Sequence, residues 1–229
     1  MDPSPTGAAP VLICDLDGTL IDSVPDLAAA VGELLESEGR RRLPVEAVKA
    51  MVGDGVPKLI ERALAATGET PPEAELAALV ARYLPIYEAR MTDLTKPYPG
   101  AVEALAALKA QGWRLAVCSN KPEAPSRAIV AELGFDGLFE AVAGGDSFPV
   151  RKPDPGHLLG LLRLMESPPD TAVMLGDGHN DVLAARAAGL PVIVIDHGYG
   201  PIPARDLDPD RVIEDFSELP AALAALGRG

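Results

Sequence analysis

Hydrophobic and polar positions change rhythm twice along this chain. Val11–Cys14 is a short, unbroken apolar run, as expected of a strand buried on both faces. Residues 24–91 then carry apolar positions at helical spacing, with no strand candidate among them. Helices are predicted over 25–38, 45–51, 56–66 and 72–91, separated by Gly39, Gly53-Asp54-Gly55 and Gly68–Pro71. Ser23 and Asp26, with Pro25 between them, predict a capped start for the first helix. From Tyr98 onward strands and helices alternate: helices over 101–111, 122–133, 155–165, 179–188 and 218–226, strands over 115–118, 141–143, 172–175, 192–195 and 211–213.

Alternation of this kind implies an α/β fold, a parallel sheet wrapped on both faces by helices. In such sheets ligands bind beyond the carboxyl ends of the strands. Three of those ends carry polar groups: Asp15 and Asp17, Ser119 and Asn120, and Asp177. The helical block interrupts the first crossover and is expected to be a second domain inserted over that edge. The expected division is a flexible tail at 1–10, a core of 11–22 and 95–229, and a helical cap at 23–94 that sets substrate specificity.

Composition narrows the partners. The chain has 229 residues, 48% apolar and 4% aromatic, enough for a sizeable core built mostly of Ala, Leu and Val. A net charge of −14 without a basic tract argues against nucleic acid or an anionic membrane as partner. It also means that an anionic substrate needs a metal or a few well-placed cations. Cys14 and Cys118 are too few for a disulfide framework and read as buried thiols, although adjacent strands could bring them close. The start lacks the pattern of a signal peptide, and no apolar run reaches membrane-spanning length. A cytoplasmic protein, monomeric or homodimeric, is the expectation.

The strand end at Asp15-Leu16-Asp17-Gly18-Thr19-Leu20 carries the chemistry. Residues i and i+2 of an extended segment face one side, so two carboxylates are aimed at one point. A carboxylate can attack phosphorus or carbon to form a covalent intermediate. Phosphoryl transfer further needs charge neutralisation and an acid for the leaving oxygen. Asp15 is the candidate nucleophile and Asp17 the candidate general acid and base. Asp177 would complete a Mg2+ site with Asp15. Ser119 and the N–H groups after it would hold phosphoryl oxygens, and Lys152 would neutralise charge. Singly, each has a duller reading. Ser119-Asn120 suits a turn, Lys152 a solvated loop, and Asp177 a helix cap. Asp181 suits a helix's first turn without any metal, though it could stand behind a metal ligand. His157 and His179 lack partners at ligand spacing and suit surface or capping roles.

Taken together, four ordered motifs resemble the haloacid dehalogenase superfamily: Asp15-Leu16-Asp17-Gly18-Thr19-Leu20, Ser119-Asn120-Lys121-Pro122, Lys152-Pro153-Asp154-Pro155, and Gly176-Asp177 with Asn180-Asp181. The resemblance implies a Rossmann-like core of strand order 5-4-1-2-3, a helical cap and an aspartyl-phosphate intermediate. It also implies Mg2+ held by the Asp15 side chain, the Asp17 carbonyl and Asp177, with Thr19, Ser119, Asn120 and Lys152 on the phosphate. An acid at position 17 marks the phosphate-ester branches. Gly53-Asp54-Gly55-Val56 and Glu61-Arg62-Ala63-Leu64 look like the substrate loop and following helix of the phosphoglycolate phosphatase subgroup, which makes Gly53 and Gly55 substrate-binding candidates and a small phosphorylated metabolite the substrate. Gly178 departs from the subgroup's usual Ser. Alternatives are a phosphatase for a sugar phosphate, nucleotide or pyrophosphate, a phosphomutase resembling beta-phosphoglucomutase, and a non-enzymatic binding module. The mutase would need a cap residue that engages Asp17 and delays attack by water, for which no compelling candidate stands out.

Overall fold

The computed structural model describes residues 8–200 and 202–227; most of the expected 1–10 tail lies outside them. In chain order the elements are β1 (Val11–Cys14), β2 (Ile21–Asp22), α1 (Val24–Ser37), α2 (Val45–Lys49), α3 (Val56–Ala65), α4 (Glu73–Glu88) and β3 (Lys96–Pro97). Then come α5 (Ala101–Ala110), β4 (Arg114–Cys118), α6 (Glu123–Glu132), β5 (Ala141–Ala143), α7 (Pro155–Leu164), β6 (Ala172–Gly176), α8 (His179–Ala188), β7 (Val192–Ile195), β8 (Arg211–Ile213) and α9 (Leu219–Ala225).

Six strands form one parallel sheet in the order β5-β4-β1-β6-β7-β8. Its first five strands are the expected order read from the other edge; β8 adds a sixth. β1 is central and fully buried, as its unbroken apolar run requires. Its residues alternate between two cores. Leu12 and Cys14 pack with α5, α6 and α9, whereas Val11 and Ile13 pack with α7 and α8. Cys118 lies in the second core, so the two thiols sit on opposite faces of the sheet and are not adjacent.

Helices α1–α4 pack on one another around their own apolar cluster, which includes Leu34, Leu35, Ile60, Tyr83 and Tyr87. The chain enters and leaves this layer through β2 and β3, an antiparallel pair of two residues each. Elements that short carry no periodicity to read. The expected cap at Ser23 is absent: its side chain makes no capping bond and goes to Asp17 instead. Asp26, buried in the first turn of α1, accepts from Leu94 N, Thr95 N and Thr95 Oγ1, which ties the exit segment to the entry helix.

Candidate active site

β1, β4 and β6 lie side by side, and the segments that follow them meet in one cleft beneath the helical layer. Strand pairing of β1 ends at Cys14, and the next residues form a tight turn. The Leu16 carbonyl accepts from the N–H groups of Thr19, Leu20 and Ile21. The two acids are thus not on a regular strand, as the i, i+2 argument assumed. The alternation survives: Leu16 is buried in the core while Asp15 and Asp17 line the cleft.

Asp15 Oδ1 accepts from Leu16 N at 2.7 Å and pairs with Lys152 Nζ at 3.0 Å. Burial pushes the Asp15 carboxyl up to about 6 against the opposing pull of Lys152. Lys152 is buried and also bonds Asp181 Oδ1 at 2.6 Å; these two acids hold it well above the usual ammonium range. The solvated-loop reading of Lys152 is therefore excluded. Its backbone is braced as well, since His157 Nδ1 accepts from Lys152 N at 3.2 Å while Nε2 contacts Gly144 O at 3.0 Å. His157 is fully buried, not on the surface as expected, and burial pushes it down to about 4.

Asp177 follows β6 and is wedged in place. Thr19 Oγ1 donates to its Oδ1 at 3.0 Å, and Tyr199 N donates to its Oδ2 at 2.9 Å. Thr19 is fully buried, and its hydroxyl is engaged by Asp177. Two glycines permit the close approach. A Cβ at Gly18 (φ +84°) would stand 2.6 Å from Asp177 Oδ2, and one at Gly198 would stand 2.4 Å from Asp177 Cβ. Burial, then Asp181 and Asp15, push Asp177 up to about 8.

Oxygens of Asp15, Asp177 and Asp181 lie within 4.8 Å of one another, the kind of carboxylate cluster that a hard divalent cation suits. Lys152 pairs with Asp15 and Asp181, and no ion pair to Asp177 occurs among the described residues, so a cation would relieve the remaining charge. Asp181 is engaged on both oxygens, by Lys152 and by the N–H groups of Asp177 and Gly178. These bonds hold it from the protein side while its oxygen remains within the cluster. A Cβ at Gly178 would meet nothing nearer than 3.9 Å, so this departure leaves space and distorts nothing.

Asp17 is gripped by groups that sequence reasoning did not assign. Lys121 Nζ lies 3.0 Å from each of its oxygens, and Ser23 Oγ donates to Oδ1 at 2.5 Å. The only available signal for Lys121 was its position inside the Ser119-Asn120-Lys121 motif. Ser23, at the start of α1, engages Asp17, which is the first of the two properties the mutase alternative required.

Loop 52–55 divides the cleft. One chamber of about 40 Å3 is lined by Leu27, Val56 and Leu59 together with Ser119 and Lys121. A second, of about 190 Å3, holds Asp15, Asp17, Lys152, Asp177, Arg62 and Asn180. Gly53 and Gly55 border the first and Gly53 also the second. The Gly53 carbonyl accepts from Asn120 Nδ2 at 3.0 Å and Asn180 Nδ2 at 3.2 Å; Asn180 also reaches Asp54 at 2.8 Å. Asn120 further donates to Lys152 O, so its side chain is a strut between loops. Arg62 is occupied by Met51 O and Asp54.

No helix among the described residues is long and apolar enough to cross a membrane. The family model for haloacid dehalogenase-like hydrolases matches residues 10–189. A phosphoglycolate phosphatase of Cereibacter sphaeroides is 41% identical over 217 residues, 95% of this chain and 99% of its own length. One from Caulobacter vibrioides is 42% identical over 93% of this chain and 90% of its own. Among solved structures, a predicted phosphoglycolate phosphatase from Haemophilus somnus superposes with a TM-score of 0.88 at 31% identity, covering 93% of this chain and 97% of that one. CbbY of Rhodobacter sphaeroides, solved with phosphate, gives a TM-score of 0.78 at 27% identity, covering 95% and 100%.

Proposed function

This chain belongs to the haloacid dehalogenase-like hydrolase family, and on that premise we propose that it hydrolyses a small phosphate monoester, 2-phosphoglycolate, through a phosphorylated Asp15. The observation that carries the reading is the meeting of Asp15, Asp17, Lys152 and Asp177 in one cavity. Its volume of about 190 Å3 is below the ~300–1,000 Å3 of drug-sized ligand sites, which favours a small ester over a nucleotide. The names of the relatives support the particular substrate.

Residues 23–94 act as a cap over the core formed by 11–22 and 95–229. An Asp15 carboxylate oxygen attacks phosphorus in line. The new O–P bond forms as the bond to the leaving oxygen breaks, and Asp17 gives that oxygen its proton. The ionised Asp17 then takes a proton from water, which attacks the acyl phosphate and returns Asp15 as carboxylate. Lys152 offsets the charge at Asp15 throughout, and Ser119 sits beside the same cleft to donate to a phosphoryl oxygen. Asp15, Asp177 and the Asp17 carbonyl would hold Mg2+, which supplies charge neutralisation of the phosphoryl group when bound. The protein works in the cytoplasm as a monomer or homodimer; its two thiols are buried and unpaired.

Phosphate release across a panel of 2-phosphoglycolate, sugar phosphates, nucleotides and pyrophosphate, with chelator and with Mg2+, tests the reading. A marked preference for 2-phosphoglycolate, lost with chelator, is expected. A flat, weak profile would remove the substrate assignment. Ser23 gives the mutase reading one observation in its favour; conversion of a hexose 1-phosphate to the 6-phosphate without phosphate release would select it.

A further inference from the structure

We propose that Tyr87, on the last turn of α4, is a positioning residue for Asp17, acting from the helical layer through Lys121. The inference rests on the phosphatase reading above. Lys121 Nζ lies 4.7 Å from the centroid of the Tyr87 ring while it grips both Asp17 oxygens at 3.0 Å. Lys121 is 6% exposed and Tyr87 2%, so water competes little for the ammonium. Tyr83, one turn earlier, backs the ring in parallel, with centroids 5.9 Å apart and planes 5° apart. The series Tyr83, Tyr87, Lys121, Asp17 thus runs from the helical layer to the group that moves the proton.

An ammonium over a ring face is attracted by the ring's negative quadrupole, most strongly where it is desolvated. The ring holds a further side of the Lys121 ammonium, and Lys121 fixes the plane of the Asp17 carboxylate with its two contacts. Ser23 Oγ restrains the same carboxylate at Oδ1. Both proton transfers require Asp17 within hydrogen-bond reach of the leaving oxygen or the water. Tyr87 borders neither chamber of the cleft, so its loss should act on turnover and not on substrate binding. The Tyr87 hydroxyl lies close to Lys121 without meeting hydrogen-bond geometry, so Tyr87→Phe, which keeps the ring, separates the ring's contribution from the hydroxyl's.

The test is steady-state hydrolysis of 2-phosphoglycolate. Tyr87→Met, which fills the space without a ring, is expected to lower kcat about tenfold with KM within about twofold. Tyr87→Phe should recover kcat. In a Lys121→Met background, Tyr87→Met should cost nothing further, because the two act as one unit. Should Tyr87→Met fail to fold, a series of fluorinated phenylalanines at position 87 keeps shape while weakening the ring face; kcat should fall with each fluorine. An unchanged kcat, a loss confined to KM, an equal cost in both Lys121 backgrounds, or a flat fluorine series would overturn the inference. Wild-type protein that leaves 2-phosphoglycolate intact would instead overturn the phosphatase reading and this inference with it.

Discussion

Replacing Lys152 by Met should unmask the charge that its ammonium now holds in check. The side chain is 1% exposed and bridges Asp15 at 3.0 Å and Asp181 at 2.6 Å. Its removal leaves those two acids and Asp177 clustered within 4.8 Å with no cation in contact. Breaking a buried pair by deleting one partner costs about 3–5 kcal/mol, since the remaining charge is stranded. At roughly 2–4 °C per kcal/mol for a chain of this size, the metal-free Tm should fall by about 6–20 °C. Mg2+ should narrow the gap, because a divalent cation neutralises the same acids. Turnover should drop by about 10²–10³ with the loss of charge stabilisation. Thermal melts by circular dichroism, in chelator and in Mg2+, read the first two quantities. A metal-free Tm within about 2 °C of wild type would refute the reasoning, for it would mean that the acids do not depend on Lys152.

Asp15→Asn should abolish phosphate release while the protein melts as cooperatively as wild type; measurable turnover would remove Asp15 as nucleophile. Asp177 binds its proton more tightly folded (about 8) than unfolded (3.8), so that contribution to stability is full at low pH and is lost as pH rises through about 8. His157, pushed down to about 4 from 6.5, works the opposite way, its contribution being present above pH 6.5 and lost as pH falls towards 4. The Tm of metal-free protein should therefore decline between about pH 7.5 and 8.5, where His157 is deprotonated in both states; a flat or rising Tm there would contradict the charge balance. Gly198→Ala should destabilise the protein by about 1–3 kcal/mol and impair activity, since its Cβ would stand 2.4 Å from that of Asp177. Gly178→Ser, with 3.9 Å of clearance, should stay within about 0.5 kcal/mol of wild type by denaturant melt. Asn180→Ala severs the bonds to Gly53 O and Asp54 and should raise KM by about tenfold, at ~0.5–1.5 kcal/mol per bond, with a smaller change in kcat.

Sequence by itself determined the layered α/β arrangement and where its chemistry lies. Val11–Cys14, Ala172–Gly176 and Val192–Ile195 are apolar on both faces because helices cover both. That signal is local, written within four or five consecutive residues. The acids at 15 and 177 were legible for the same reason, each standing directly behind such a run, and Asp17 follows two residues after Asp15. What each polar side chain does was decided only by tertiary structure. Ser23 has the sequence of a cap yet serves Asp17, Thr19 serves Asp177 from 158 residues away, and Lys121 reaches Asp17 across 104. A hydroxyl or an ammonium takes the partner that burial leaves it, since an unmet donor inside the protein is costly. That partner is set by which strand ends lie side by side, β4 and β6 flanking β1, and by the helical layer above them. Local pattern therefore specified the longer elements and the candidate acids, while strand order and the packing of the helical layer assigned the groups that hold those acids in place.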